Sequence, residues 1–169
     1  PKYTINVRGM VEFLLQHGDI VPGDSFFSPE RAQLGAEIHR KLQDKCKIEK
    51  KGYTSEKSLR CIKEKDGVLL ELEGRCDGFY LDDILHIDEF KTIEYHIQES
   101  DSADPTHTAQ AACYAAMLEA IPEYHSHKVC IHILYYNIVD QSRTEFRTDF
   151  TEEELQRFFA SMIEEYFKW

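Results

Sequence analysis

Hydrophobic and polar residues alternate along the chain with two different periods. Alternation between hydrophobic and polar residues at every second position predicts a strand, because successive side chains of a strand face opposite sides of its sheet. Apolar residues that recur three and four apart predict an amphipathic helix. The predicted strands cover residues 59–65, 68–80, 84–97, 128–139 and 143–150, and the predicted helices cover residues 8–17, 30–45, 106–120 and 152–169.

Residues with special backbone preferences mark where these elements begin and end. Asp66-Gly67 is typical of a two-residue type I′ turn and predicts a hairpin between the first two strands. Ser28 before Pro29 predicts a helix start. Thr151 followed by Glu154 has the spacing of a capping box at the start of the last helix. The stretches left over include an extended lead-in over residues 1–5 and a loop over residues 19–29.

The order of the central elements, helix, strand, strand, strand, helix, strand, predicts an α/β fold. The helix after the third strand implies a right-handed crossover to a parallel neighbour, whereas the hairpin before it is antiparallel. We therefore expect a mixed central sheet with helices on both faces. A chain of 169 residues accommodates one well-buried domain, residues 1–169. Because it begins at Pro1 without an initiator methionine, we expect this domain to be excised from a longer protein.

Composition narrows the class of protein. Hydrophobic residues make up 42% of the chain, which is typical of a globular domain. No apolar run approaches the ~20 residues that span a bilayer, so we expect a soluble, cytoplasmic protein without membrane contact. The five cysteines include no Cys-x-x-Cys pair and are expected to be reduced core residues. Three histidines, His125, His127 and His132, have no acid or cysteine at a metal-motif spacing, and we assign them to surface and strand positions.

The net charge of −11 argues against a nucleic-acid binder, but the charges are unevenly distributed. Between Arg40 and Lys65 there are ten basic residues and four acidic ones. Such a positive stripe can follow a phosphate backbone while the rest of the protein stays acidic. A solvated helix end and loop would give the same pattern.

Candidate chemistry is concentrated between Gly74 and Lys91. Alternation places Glu89 and Lys91 on one face of the third strand and Asp88 on the other. If the second and third strands pair, Asp77 lies across from Glu89. Two carboxylates this close repel each other unless a cation lies between them, and oxygen ligands favour magnesium or manganese.

Each of these residues also has a plain structural interpretation. A Glu-x-Lys pair on a strand surface is a common ion pair that contributes little to stability. Gly74 marks either a bulge or a place where another group approaches the backbone, and a bulge would change the face on which Asp77 lies. We interpret Glu71 and Glu73 as solvated strand residues.

Two helical pairs flank this segment. Gly35 and His39 are four apart on the helix before the sheet, and Gln110 and Tyr114 are four apart on an alanine-rich helix after it. Considered alone, His39 is interpreted as a partly buried histidine of a helix. By themselves, Gln110 and Tyr114 read as the polar face of a helix.

Taken in order, Gly-x-x-x-His, Gly-x-x-Asp, Glu-x-Lys and Gln-x-x-x-Tyr resemble the PD-(D/E)xK nuclease superfamily and are most similar to its RecB-like branch. The resemblance covers roughly residues 35–136. It implies a restriction-endonuclease-like core in α-β-β-β-α-β order. It also implies a metal site made by His39, Asp77, Glu89 and the carbonyl of Phe90.

The resemblance implies hydrolysis of DNA phosphodiester bonds with Mg²⁺ or Mn²⁺. Asp77, Glu89 and Lys91 would be the catalytic residues, with Lys91 positioning the attacking water. Gln110 and Tyr114 would contact DNA or support Lys91. An exonuclease acting in DNA repair or recombination beside a helicase is the expected setting. Some RecB-like nucleases carry cysteines for an iron-sulfur cluster; this chain departs from that pattern, and we predict none.

Two other functions remain open on the sequence. The first is a non-catalytic DNA-binding or scaffolding domain that retains the nuclease fold. The second is a hydrolase of another phosphate ester. The intact motif positions favour catalysis over the first, and the basic stripe favours a polymeric substrate over the second.

Overall fold

The computed structural model describes residues 1–15 and 28–169 of the chain. Most of the predicted loop over residues 19–29 lies outside the described residues. The elements are β1 (Lys2–Asn6), α1 (Val7–Leu15), α2 (Pro29–Glu49), β2 (Thr54–Lys65), β3 (Val68–Leu81), β4 (Leu85–Ile93), α3 (Pro105–Glu119), a 3₁₀ turn (Pro122–Tyr124), β5 (Lys128–Asn137), β6 (Arg143–Thr151) and α4 (Glu152–Phe167).

Three of the boundaries that the sequence predicted are present in the structure, whereas β4 ends at Ile93 rather than residue 97 and α2 continues to Glu49. Ser28 Oγ accepts a hydrogen bond from the Arg31 amide at 3.0 Å and so caps α2. Thr151 and Glu154 form the reciprocal hydrogen bonds of a capping box at α4. At the β2–β3 turn, Asp66 and Gly67 have φ values of 52° and 80°, as a type I′ turn requires.

The sequence predicted only an extended lead-in over residues 1–5 before the first helix, but Lys2–Asn6 forms a strand. β1 pairs in parallel with β3, from Lys2 beside Leu69 to Asn6 beside Glu73. Lys2–Asn6 alternates polar and apolar residues, but five residues are too short a run to identify a strand by periodicity, and pairing with β3 stabilises it. β2 is also longer than predicted, because its pairing with β3 continues back to Thr54.

The sheet has six strands and is mixed, as predicted. β3 pairs with β2 along one edge, and its other edge is shared by β1 over residues 69–73 and by β4 over residues 78–81. Within the described chain, residues 74–77 have no strand partner on that second edge. β4 pairs in parallel with β5 through the α3 crossover, and β5 pairs antiparallel with β6.

Helices cover both faces of the sheet, which agrees with the α/β prediction. α3 is buried along residues 109–119, because it lies between the sheet and the helices α1 and α4. On the opposite face, α2 packs through a smaller cluster formed by Ile38, Leu42, Phe90 and Tyr136. None of the described helices combines the length and the apolar character needed to cross a bilayer.

Glu71 is not the solvated residue that the sequence predicted. Its exposed fraction is 3%, because the side chains of Lys2 and Arg60 cover its carboxylate. Hydrogen bonds from Lys2 and then Arg60 lower the pKa of Glu71. The unpredicted strand β1 carries Lys2 to this position. Glu73 is exposed, as expected.

Candidate active site

Asp77 and Glu89 lie where β3 and β4 separate. The antiparallel ladder ends at the pair Gly78 and Asp88, and one further step of the same register brings Asp77 opposite Glu89. Both the side chain and the backbone of Asp77 accept hydrogen bonds. Phe90 N–H donates to Oδ2 at 2.8 Å, and Gln43 Nε2 donates to the backbone carbonyl oxygen at 3.0 Å. The predicted juxtaposition of the two acids is therefore present.

A local irregularity in β3 sets the direction of Asp77. Cys76 and Phe79 are three residues apart, yet both belong to the main core, which regular alternation does not allow. The β2–β3 register pairs residue 55 with 78 and 57 with 76 but omits the pair Glu56 and Asp77, and Glu56 has φ 55°. The departure from regular pairing is thus at Asp77, and the pairing runs unbroken past Gly74.

His39 reaches Asp77 from α2. Its Nδ1 lies 2.8 Å from the Gly35 carbonyl, so Nδ1 carries the hydrogen and Nε2 is directed to Asp77 Oδ2 at 3.6 Å. Burial opposes the charged imidazolium, but the hydrogen bond to Asp77 and its negative charge outweigh burial and raise the pKa of His39 to about 9. Without a metal, the protonated ring balances the charge of Asp77.

Glu89 is the buried acid of the site, with an exposed fraction of 2%. Its Oε2 lies 3.5 Å from Lys91 Nζ, whereas Oε1 has no hydrogen-bond partner in the described structure. Burial and the nearby charge of Asp77 raise the pKa of Glu89 to about 8, although Lys91 acts in the opposite direction. A buried carboxylate oxygen without a donor is costly unless a cation binds it.

Lys91 begins a chain of side-chain contacts that ends on β3. Its Nζ donates to Gln110 Oε1 at 3.3 Å, and Gln110 Nε2 donates to Tyr114 Oη at 2.9 Å. The Tyr114 ring then lies against the bare backbone of Gly74. Gln110 and Tyr114 are both buried, so of their two predicted roles the structure favours support of Lys91 over contact with DNA.

Asp88 takes no part in this arrangement, as alternation predicted. Its Oδ2 accepts a hydrogen bond from Tyr53 Oη at 2.9 Å on the other face of the sheet. Tyr53 crosses directly over Gly78 to reach it.

Gln43 is a site residue that sequence reasoning missed. Besides the Asp77 carbonyl, its amide donates to Glu56 Oε1 at 2.7 Å, so it ties both irregular positions of the β2–β3 pair to α2. The available signal was its spacing, because Gln43 is four residues after His39 and shares its helix face.

The three remaining histidines occupy the surface and strand positions that the sequence predicted, since His125 and His127 are exposed and His132 lies on β5, but each also lies near an acid. His132 Nδ1 lies 2.7 Å from Glu145, and His125 lies near Glu119 and Glu152. His127 also lies near Glu152. These acids are distant in the sequence, and spacing along the chain does not reveal them.

The donor set at the site fits a hard divalent cation. Asp77 and Glu89 offer carboxylate oxygens, one of which has no other partner in the described part of the chain, and His39 offers Nε2 beside them. Oxygen-dominated sets of this kind suit Mg²⁺ and Mn²⁺, and an imidazole is compatible with Mn²⁺.

Replacement of Gly74 by alanine is expected to destabilise the fold by about 1–3 kcal/mol, because a Cβ there would overlap the Tyr114 ring. Urea unfolding measures the change. Gly35→Ala is the matched control, since its Cβ would meet nothing nearer than 3.5 Å. In a Tyr114→Ala background the Gly74→Ala change should cost much less; an equal cost in both backgrounds would contradict the proposed contact.

Replacement of Glu89 by glutamine is expected to stabilise the metal-free protein near pH 8. The folded-state pKa of Glu89, about 8, lies above its ordinary value of 4.5, so the native state binds this proton more tightly than the unfolded state does. Wild-type stability is therefore lost as pH rises from 4.5 to 8. The variant lacks this loss and should be more stable by on the order of 2 kcal/mol near pH 8.

Urea unfolding in EDTA at about pH 5 and about pH 8 tests this expectation, because the gain should shrink at the lower pH. Glu73→Gln removes the same charge from an exposed position of β3 and serves as the control. A gain for Glu89→Gln that does not change with pH would show that burial of the ionised carboxylate is not its cause.

No protein-family model matches this chain, and no curated protein matches it. Twenty-two solved protein chains resemble it in structure. One of them is the crystal structure of SSO0001, with a TM-score of 0.58 and 17% sequence identity, covering 95% of this chain and 75% of that chain. At this level of identity the likeness concerns the fold alone.

Proposed function

We propose that the chain is a divalent-metal-dependent deoxyribonuclease of the RecB-like PD-(D/E)xK type. In this proposal α2, β2, β3, β4, α3 and β5 form the restriction-endonuclease-like core. Support comes from where the motif residues lie: His39 is on α2, Asp77 on β3, Glu89 and Lys91 on β4, and Gln110 and Tyr114 on α3. They converge although up to 75 residues of sequence separate them.

The observation that carries the proposal is Oε1 of Glu89, which is buried and has no hydrogen-bond partner among residues 1–15 and 28–169. A buried carboxylate beside a second acid and a lysine is a poor choice for stability, because both burial and like charge disfavour its ionisation. Such arrangements are characteristic of sites that bind a cation or perform chemistry. His39, Asp77, Glu89 and the carbonyl of Phe90 would hold the ion.

The ion, when bound, would acidify water and offset negative charge on the phosphate. Lys91 would supply the remaining positive charge from the protein. Its ammonium lies between Glu89 and Gln110, which fix its position before substrate arrives. A preorganised charge of this kind orients the attacking water and stabilises the additional charge of the transition state without further reorganisation.

DNA would approach along the basic stripe. Arg40, Lys41 and Lys45 are exposed on α2, the helix that also carries His39. The overall charge of −11 opposes tight binding by this domain alone. We therefore propose that it works as an exonuclease in DNA repair or recombination, beside a helicase domain or subunit that delivers the strand.

Cleavage of end-labelled single-stranded and double-stranded DNA in Mn²⁺, Mg²⁺ or EDTA tests the proposal. The expected result is cleavage that requires metal and is lost in Glu89→Ala but retained in Glu73→Ala, whose carboxylate is exposed on β3. A ladder from the labelled end would identify an exonuclease.

The same preparation should be titrated with Mn²⁺. Cleavage that persists in EDTA or in Glu89→Ala would contradict the assignment. Absence of both cleavage and Mn²⁺ binding would favour a non-catalytic DNA-binding or scaffolding domain.

A further inference from the structure

A second cluster of ligand atoms lies on the α2 side of the sheet, beyond the part that α2 covers. It consists of His86 on β4 and Cys130 and His132 on β5. The parallel register places His86 beside Cys130 and Asp88 beside His132. His86 is 7% exposed and Cys130 is 1% exposed, so the cluster is largely shielded from water. None of these residues contributes to the site around Asp77.

Hydrogen bonding leaves two nitrogen lone pairs of this cluster facing each other. His86 Nε2 lies 3.2 Å from Asp82 Oδ1, and His132 Nδ1 lies 2.7 Å from Glu145 Oε1. Carboxylates only accept hydrogen bonds, so each of these nitrogens carries a hydrogen, and the other nitrogen of each neutral ring presents a lone pair. Those two atoms, His86 Nδ1 and His132 Nε2, are 3.0 Å apart. Two lone pairs at this distance repel each other unless a cation, either a proton or a metal ion, lies between the rings.

Two further features distinguish a metal ion from a proton. Cys130 offers a third ligand atom, and one ligand atom from each of the three residues lies within 4.8 Å of the other two. In addition, the outer nitrogen of each histidine is held by a carboxylate, which is the arrangement that fixes and strengthens histidine ligands in metal sites. Arg147 Nη2 lies 3.7 Å from Cys130 Sγ.

We propose that His86 Nδ1, His132 Nε2 and Cys130 Sγ bind one zinc ion, with a fourth position left for water. Two imidazoles and a thiolate suit zinc and exclude magnesium, which requires oxygen ligands. The protein would thus hold two metals of different chemistry, one at Asp77 and one at His86. Because its ligands come from β4 and β5, the zinc ion would fasten these two parallel strands together near their first residues.

Titration of the purified, metal-stripped chain with Co²⁺ in excess Mg²⁺ tests this site. Co²⁺ replaces zinc and reports a thiolate ligand through a charge-transfer band, while Mg²⁺ occupies oxygen sites. We expect one Co²⁺ per chain with that band, displaced by zinc. Cys130→Ser should abolish the band, and Cys61→Ser, which removes a half-buried cysteine elsewhere in the sheet, should retain it.

Three further variants separate this zinc site from misfolding, from the Asp77 site and from the second histidine group. Glu145→Gln leaves the three ligands intact and should weaken zinc binding about 10–100-fold through loss of the carboxylate on His132. Asp77→Asn should leave Co²⁺ binding unchanged, so this proposal can fail independently of the nuclease proposal. His125→Gln removes a ligand of the second histidine group, which contains His127 and Glu152, and should have no effect.

Three results would overturn the zinc site. The first is no Co²⁺ binding by the wild-type chain. The second is a band that persists in Cys130→Ser. The third is loss of binding in His125→Gln with retention in Glu145→Gln, which would place the metal at the other histidine group.

Discussion

Replacement of Lys91 by alanine is expected to slow DNA cleavage about 10²–10³-fold, the usual cost of removing one preorganised group that stabilises transition-state charge. Mn²⁺ binding should largely survive, because Lys91 donates to Glu89 and Gln110 and is not itself a ligand. Single-turnover cleavage at saturating Mn²⁺, together with a Mn²⁺ titration, separates the two effects.

One complication in this comparison comes from Glu89. The positive charge of Lys91 lowers the pKa of Glu89, so Glu89 stays protonated to a higher pH in the Lys91→Ala protein. Because a protonated Glu89 binds Mn²⁺ poorly, Mn²⁺ binding should be compared at about pH 7 and about pH 9. Lys128→Ala is the control, because it removes an equal charge at the opposite end of the parallel β4–β5 pair. A Lys91→Ala protein that cleaves DNA at the wild-type rate would remove lysine from the mechanism.

Asp77→Asn is expected to abolish both cleavage and tight Mn²⁺ binding. The asparagine keeps an oxygen that can accept the hydrogen bond from the Phe90 amide, so the backbone where β3 and β4 separate should keep its conformation. What disappears is the negative charge beside Glu89 and His39. We expect Mn²⁺ affinity to fall by more than about 100-fold, the upper end of what loss of an outer-shell partner costs.

Asp88→Asn is the matched control for Asp77→Asn. Asp88 is the next acid before Glu89, but it accepts its hydrogen bond from Tyr53 on the other face of the sheet, and an asparagine can do the same. Cleavage and Mn²⁺ affinity should therefore remain near wild type. If Asp88→Asn abolished cleavage while Asp77→Asn did not, the metal site would have to be moved to the other face.

Local sequence signals predicted those features of the fold that depend on neighbouring residues. The Asp66-Gly67 turn fixed the β2–β3 pairing, and the Thr151 capping box set the start of α4. The approximate site was predictable for a similar reason, since Asp77 and Glu89 lie on consecutive strands joined by a short turn and Glu89 and Lys91 are two apart on one strand.

Features created by distant pairing could not be predicted in this way. β1 is short, and its parallel pairing with the edge of β3 makes it part of the sheet. The direction of Asp77 depends on Glu56, a residue on another strand with an unusual backbone conformation. The facing nitrogens of His86 and His132 are 46 residues apart in the sequence. Hydrophobic periodicity does not reveal these contacts, because each contact forms only when the strands are assembled into the sheet.

The divided edge of β3 affects how the domain can move. β1 and β4 form two separate ladders on that edge, and residues 74–77 between them have no strand partner there. One ladder can open while the other stays closed, so fluctuations that admit or release a ligand at Asp77 need not pass through global unfolding. The site lies between the two ladders, and its amide protons are expected to show a lower opening free energy in hydrogen exchange than those of the continuous β4–β5 pair.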